Sequence, residues 1–294
     1  MQKNDPRSLG MLTLSMIIFG SIGIFRRYIP LPSATLACFR GLSGALLLYV
    51  AAAVGKKKPD LRMGAGKLLR LALTGALIGL NWIFLFEAYN HTTVATATLC
   101  YYMQPTIVIL LSPLFFGERI TGKKCVCVVL SLIGMVLVSG LADSGMPRAA
   151  ELKGVAFGLT AAVLYASVII MNKKLPGLDA YAKTIVQLLG AAVVLIPYLL
   201  LVGLGPAVAW TPTVVVMLLV VGVVHTGIAY ALYFGSMDGL RAQTVAILSY
   251  LDPIVALVLS ALILKERMTA FGVLGAALII GAALLSETGL KKET

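Results

Sequence analysis

Apolar runs of about twenty residues alternate with short polar or turn-rich connections along almost the whole chain. A run of about 20 apolar residues is what an α-helix needs to cross about 30 Å of hydrocarbon. Cut at Gly, Pro and charge clusters, the pattern predicts ten spans: 8–26, 33–54, 68–89, 94–116, 123–140, 153–172, 182–203, 213–235, 242–264 and 269–287. Two cuts rest on weak punctuation. The stretch from Thr184 to Met237 holds no Asp, Glu, Lys or Arg, and it divides at Gly203-Leu-Gly-Pro and Trp210-Thr-Pro212, where turn residues meet an interfacial Trp. The connection near Tyr89–Val94 is marked by Asn90, His91 and two threonines.

Composition agrees with the pattern. Of 294 residues, 60% are hydrophobic and 12% charged, and the mean hydropathy is +0.98. A soluble domain carries about 25% charged and about 45–50% apolar residues, so a water-soluble fold could not hide this much apolar side chain. The net charge of +12 would suggest a nucleic-acid partner in a soluble protein. Here the basic residues sit in the connections, where they set orientation in a bilayer, and no nucleic-acid partner is expected. Cys38, Cys100, Cys125 and Cys127 all fall inside apolar runs without a His or Cys partner near them, so they read as packing residues. No cofactor, metal or catalytic group is expected. The first apolar run is as long as a span and lacks a small-residue cleavage site, which argues against a cleaved signal peptide.

Lys and Arg decide the orientation. With the N-terminus in the cytoplasm, seventeen of them fall on the cytoplasmic side, among them Lys56–Lys58, Lys123, Lys124, Lys173, Lys174 and Lys183. Six fall outside: Arg26, Arg27, Arg148, Lys153, Lys265 and Arg267. The bias places both termini in the cytoplasm of a multi-pass protein of the cytoplasmic membrane.

Sliding the chain by 148 positions brings its halves into register. Ala97-Thr-Leu-Cys-Tyr-Tyr-Met-Gln-Pro105 meets Val245-Ala-Ile-Leu-Ser-Tyr-Leu-Asp-Pro253, and Glu118-Arg119-Ile-Thr121 meets Glu266-Arg267-Met-Thr269. Phe86 meets Phe234, and with a one-residue shift Arg40 falls on Gln187. Five spans per copy is an odd number, so the second copy enters the membrane the other way up. The predicted fold is therefore an all-α polytopic membrane protein of ten transmembrane helices in two inverted-topology five-helix repeats. Residues 8–140 form the first repeat, 153–287 the second, and 141–152 a short extracytoplasmic connector. Inverted repeats belong to secondary transporters, whose solute site lies near the midplane between the halves. Duplication of a packing unit is the plainer alternative.

These segments resemble the EamA family of the drug/metabolite transporter superfamily. The resemblance is carried by Ile18-Phe-Gly-Ser, Cys38-Phe-Arg40-Gly, Tyr102-Met-Gln-Pro105 and Phe116-Gly-Glu118-Arg in the first half. Tyr165-Ala, Tyr250-Leu-Asp-Pro253 and Leu264-Lys-Glu266-Arg carry it in the second. The first span departs mildly, with Phe19 where the family usually has Trp before the glycine. The resemblance implies ten helices, cytoplasmic termini and solute movement, often outward, coupled to an ion gradient or to exchange.

Charged groups at the bilayer centre cost at least about 2.5–3.5 kcal/mol on insertion scales, so each one is a functional candidate. Asp252 lies near the middle of the ninth span, beside Pro253, whose missing N–H leaves the Ser249 carbonyl without a helical donor. A carboxylate beside a freed carbonyl suits a proton, a cation or a solute amine; a bond to a neighbouring helix is the packing alternative. Gln104 beside Pro105 is its repeat partner. His225, near mid-depth in the eighth span, is a candidate proton shuttle with Asp252, or a packing histidine. Arg40 and Glu87 lie at similar depth and are expected to pair across the second and third spans or to hold a substrate carboxylate, with snorkelling as the plain alternative. Trp82, Tyr101, Tyr102, Tyr165, Tyr230, Tyr233 and Tyr250 are candidates to line an amphipathic cavity or stack on an organic cation, and Asn81 adds a mid-depth amide. The two Glu-Arg motifs are expected to close turns, with Thr121 and Thr269 capping the next helices. Gly20, Gly23, Gly41, Gly44, Gly75 and Gly79 form small-residue stripes for close helix contact.

The pattern points to a secondary active transporter of a small organic solute, a metabolite, amino acid or amine, with the lipid bilayer and protons or a counter-substrate as partners. It favours export by alternating access between the repeats; an importer or exchanger of the same fold is the alternative. No nucleotide-binding loop is present to hydrolyse ATP. An intramembrane enzyme would need clustered catalytic groups, and two histidines with scattered acids do not supply them.

Overall fold

The computed structural model describes residues 5–54, 63–117, 120–138, 149–175, 178–202, 210–236, 240 and 248–287, and among them the regular structure is helical throughout. The helices are α1 (Pro6–Arg27), α2 (Ser33–Val54), α3 (Ala65–His91), α4 (Val94–Tyr101), α5 (Gln104–Phe116), α6 (Gly122–Val138), α7 (Ala149–Lys173) and α8 (Ala180–Val202). They are followed by α9 (Pro212–Leu219), which runs through a π-helical stretch (Val220–Ile228) into α10 (Ala229–Ser236), and then α11 (Leu251–Leu262) and α12 (Ala270–Glu287). Seven stretches are long and apolar enough to cross a membrane: Pro6–Arg27, Ser33–Val54, Ala65–His91, Val94–Phe116, Glu151–Asn172, Tyr181–Leu201 and Pro212–Tyr233. Leu251–Leu262 and Ala270–Leu285 are shorter apolar helices. Residues 141–148 of the expected connector and 242–247 of the ninth span lie outside the described residues, whereas 149–152, expected in the connector, are the first residues of α7.

Local chemistry sets the ends. Asp5 accepts from the Ser8 amide at the start of α1, with Pro6 as the first helical residue. Thr93 accepts from the Thr96 amide and starts α4 two residues after α3 ends at His91, so the weakly marked connection near Tyr89–Val94 is a true break. Thr211 accepts from the Val214 amide, with Pro212 next, at the soft cut in the charge-free stretch. Gly117 ends α5 in a left-handed conformation, φ 68°.

The fourth predicted span is not one helix. It stops at Tyr101 and restarts at Gln104, and Pro105 takes the second position of the new segment, where its missing N–H costs no helical bond. Pro253 stands likewise in the first turn of α11, which begins at Leu251.

In the packing, α3 lies against α7 and α8, α2 against α8 and the π stretch, α1 against α10 and α11, α4 against α7 and α11, and α6 against α12. Small residues permit the close crossings. A Cβ on Gly41 would meet the Leu188 carbonyl at 2.8 Å, and one on Gly190 the Ala72 carbonyl at 2.9 Å. The core holds Leu36, Phe86, Leu188 and Val221, whereas Leu114, Leu200 and Leu201 stay exposed, as a hydrocarbon solvent allows.

Candidate functional site

A cavity of about 740 Å³ runs through the middle of the bundle, between the half that ends with α6 and the half that begins with α7. It takes in Arg40, Trp82, Tyr101, Tyr102, Gln104, Tyr165, Tyr230, Tyr233, Tyr250 and Asp252, so most of the candidates read from the sequence share one wall. At one end it extends to Lys124 and Lys183. At the other it reaches Tyr89 and Thr98, whose hydroxyls lie 3.4 Å apart.

The wall repeats the register of the chain. Eight pairs of lining residues stand 148 positions apart: Gly20 and Val168, Arg40 and Leu188, Trp82 and Tyr230, Leu85 and Tyr233, Tyr101 and Ser249, Tyr102 and Tyr250, Gln104 and Asp252, and Val108 and Ala256. Some pairs match in kind, such as Tyr102 and Tyr250. Two differ in charge: Arg40 has an apolar mate, Leu188, and Asp252 an amide, Gln104.

Arg40 is buried, with 4% of its surface exposed. Its Nε donates to Thr226 Oγ1 at 3.1 Å, and its guanidinium lies 4.3 Å from the Trp82 ring centroid and 5.5 Å from that of Phe86. The π-helical turn makes this possible. Thr226 Oγ1 donates to the Val221 carbonyl five residues back (3.0 Å), which leaves its lone pair for Arg40. Among the described residues no carboxylate forms an ion pair with Arg40.

The Ser249 carbonyl that Pro253 leaves without a helical donor finds one in the other half, the Tyr102 hydroxyl at 3.5 Å, which also faces the Asp252 carboxyl. Asp252 sits in the first turn of α11, where the helix dipole favours an anion. Gln104, its mate, holds a buried Oε1 with no hydrogen-bond partner among the described residues. Among the described residues neither Arg40 nor Asp252 forms an ion pair and Gln104 Oε1 has no donor, so this aromatic cavity can receive the polar ends of a small solute.

Three candidates lie apart from the wall. The expected Arg40–Glu87 pair does not form. Glu87 accepts from Ser33 at 2.6 Å and from Asn90 at 3.4 Å, because α2 begins beside it, and Arg26 donates to the same Ser33 at 3.3 Å. His225 has one ring nitrogen 2.9 Å from Ser21 Oγ and the other 3.3 Å from the Val220 carbonyl, with its ring against Phe25; it does not line the cavity that holds Asp252. Asn81 donates to the Ala161 carbonyl at 2.6 Å, where it joins α3 to α7.

Sequence reading missed Tyr89, Asn172 and Lys183 in the wall, gave Gln187 no part there, and did not single out Thr226, which holds Arg40. Gln187 donates to Asn172 at 2.7 Å. The register that set Gln187 against Arg40 was the available signal. Glu266 does not merely close its turn. Lys265 takes φ 55°, and Glu266 turns back to accept from the Val94 amide (2.9 Å), from Ser260 Oγ and from Arg27 (3.0 Å). Thr269 caps α12 as expected, through the Gly272 amide. The matching Glu118-Arg119 lies outside the described residues.

Comparison with known proteins agrees with this architecture. The model of the EamA-like transporter family matches residues 7–140 and again 152–288. An uncharacterized transporter, YxxF, of Bacillus subtilis is 29% identical over 97% of this chain and 90% of its own. Protein PecM of Dickeya dadantii is 28% identical over 85% of this chain and 82% of its own. A protein of Escherichia coli named as a probable amino-acid metabolite efflux pump is 28% identical over 72% and 73%. A solved crystal structure, 17% identical, superimposes with a TM-score of 0.67 over 95% of this chain and 96% of that one, a likeness of fold.

Proposed function

The chain belongs to the EamA-like transporter family of multi-pass membrane proteins, and from that premise we propose that it is a secondary carrier exporting a small organic solute with an anionic and a cationic end, such as an amino acid or a related metabolite. The observation that carries this reading is the cavity wall. Arg40 from one half and Asp252 from the other face a common aromatic space, without an ion-pair partner among the described residues. Arg40 is the seat for a carboxylate. Asp252, with Gln104 Oε1 nearby in the same wall, is the seat for an ammonium group or a proton, and Trp82, Tyr101, Tyr165 and Tyr230 enclose the body of the solute.

Two inverted repeats supply the machinery. The helix contacts keep their pattern when the halves are exchanged: α2–α8 and α6–α12 map onto themselves, and α3–α7 maps onto α1–α10. The eight register pairs in the wall and the double family match support the same reading. Rocking one repeat against the other would expose the cavity to each face in turn. The Lys/Arg bias puts the Lys124–Lys183 end and both termini in the cytoplasm of a cytoplasmic membrane, so the cavity is loaded from inside. The efflux-pump name of the Escherichia coli relative favours the same direction.

The test is a thermal-shift screen of purified protein across amino acids, amines and metabolites, followed by counterflow of the best ligand in proteoliposomes. Preloaded solute is expected to drive uptake of labelled solute, and Asp252→Asn to abolish flux driven by a pH gradient. Undiminished pH-driven flux in that variant would remove the proton site, and solute-independent leakage would indicate a channel.

A further inference from the structure

The cavity stops below a cluster of polar groups at the end of the bundle opposite Lys124 and Lys183, and that cluster ties three helices together. Glu266, just past the end of α11, accepts from the Val94 amide at the first residue of α4 and from Ser260 Oγ, and pairs with Arg27 at the end of α1. The same Arg27 nitrogen donates to the Thr92 carbonyl at 2.8 Å, ahead of α4. The carboxylate thus sits on the positive end of the α4 dipole while a cation from α1 covers its other oxygen. The roof beneath is Thr98, one turn into α4 and part of the cavity wall. Parting α1 from the α4–α11 pair at this end would break these contacts.

The opposite end holds related parts in a different arrangement. Ser112 stands 148 positions from Ser260, yet its hydroxyl donates to the Ile109 carbonyl of its own helix at 2.9 Å. Lys174, the mate of Arg26, lies 4.9 Å from the Phe115 ring centroid. Ser260 reaches across to Glu266 at one end, whereas its mate Ser112 bonds within its own helix; the mate of Glu266, Glu118, lies outside the described residues.

We infer that Arg27 and Glu266 are the gate of the extracytoplasmic face, a latch whose ion pair and trans-capped α4 N-terminus hold the cavity closed to that side and must release for the solute to leave. The inference rests on the carrier and orientation proposed above. Glu266 has a side chain 14% exposed and Arg27 one 33% exposed, so water reaches the latch and it is of the strength that a reversible gate requires.

Thiol accessibility tests this without knowledge of the solute. Thr98→Cys is placed in a background lacking Cys38, Cys100, Cys125 and Cys127, and an impermeant maleimide is applied to intact cells and to inside-out vesicles. With the latch intact, labelling is expected in inside-out vesicles and little in cells. Glu266→Gln and Arg27→Gln are each expected to raise labelling in cells about fivefold, the scale of shift that loss of one partly exposed ion pair gives a two-state equilibrium. Unchanged labelling in both variants overturns the latch. Should either variant fold poorly, Arg27→Cys with Glu266→Cys, joined by a bifunctional maleimide on the folded protein, gives the converse: solute counterflow is lost on joining. Persistent counterflow in the joined protein overturns the latch equally. A labelling shift without counterflow of any solute upholds the gate and removes the carrier, whereas counterflow with unmoved labelling does the reverse.

Discussion

Arg40 is held by three parts of the bundle at once: its own α2, the Trp82 and Phe86 rings of α3, and Thr226 in the π stretch. A planar guanidinium can stack on an indole and still donate sideways through Nε; an ammonium cannot do both. Arg40→Lys is therefore expected to leave the protein folded while raising the half-saturating solute concentration in counterflow about tenfold, the worth of one cation–π contact with its hydrogen bond. Thr226→Val should act the same way and more weakly, and equal half-saturation in all three proteins would remove Arg40 from the site. That Arg40 mattered was legible, since a charge inside an apolar run must have a purpose. Its partner was not. Depth along the chain suggested Glu87, but depth does not say which way a side chain points, and Ser33 and Asn90 engage that carboxylate instead.

At the scale of the element, the two interrupted helices and the π turn shape the cavity. Each interruption places a polar residue, Gln104 or Asp252, in the first turn of a fresh helical segment beside a proline. Pro253→Ala would restore an N–H able to reach the Ser249 carbonyl, in competition with the Tyr102 hydroxyl now near it. The expected outcome is an unchanged or higher Tm with a several-fold loss of flux; full flux at a higher Tm would show that the interruption has no part in transport. The prolines and their repeat were plain in the sequence, so the interruptions could be anticipated. The π turn was not, because its cause is tertiary: the wide turn is where Thr226 and His225 meet carbonyls five residues back while Arg40 approaches from α2.

For the molecule as a whole, close helix crossings set how the halves fit. A Cβ on Gly75 would overlap the Gln187 carbonyl and lie 3.0 Å from the Gly190 Cα, so Gly75→Leu forces α3 from α8 at a cost of about 1–3 kcal/mol. Gly10, on α1, has nothing within 4 Å of such a Cβ. The Tm of purified protein is expected to fall in Gly75→Leu and to stay unchanged in Gly10→Leu; equal Tm values would show that α3 and α8 tolerate separation.

The number and extent of the apolar runs, the register of 148 and the weak connection at Thr92-Thr93 were in the sequence, because hydrocarbon demands a length of apolar helix and a duplicated unit leaves its spacing behind. Membership of a transporter family followed from the same residues. Which candidates meet was decided only by the packing. Both Arg40 and Asp252 are rare charges in apolar runs, but nothing local brings α2 and α11 to one cavity, and nothing local turns Glu266 onto the start of α4. In a bundle of mostly apolar helices those few polar contacts depend on rotation and close approach, which many long-range contacts settle together.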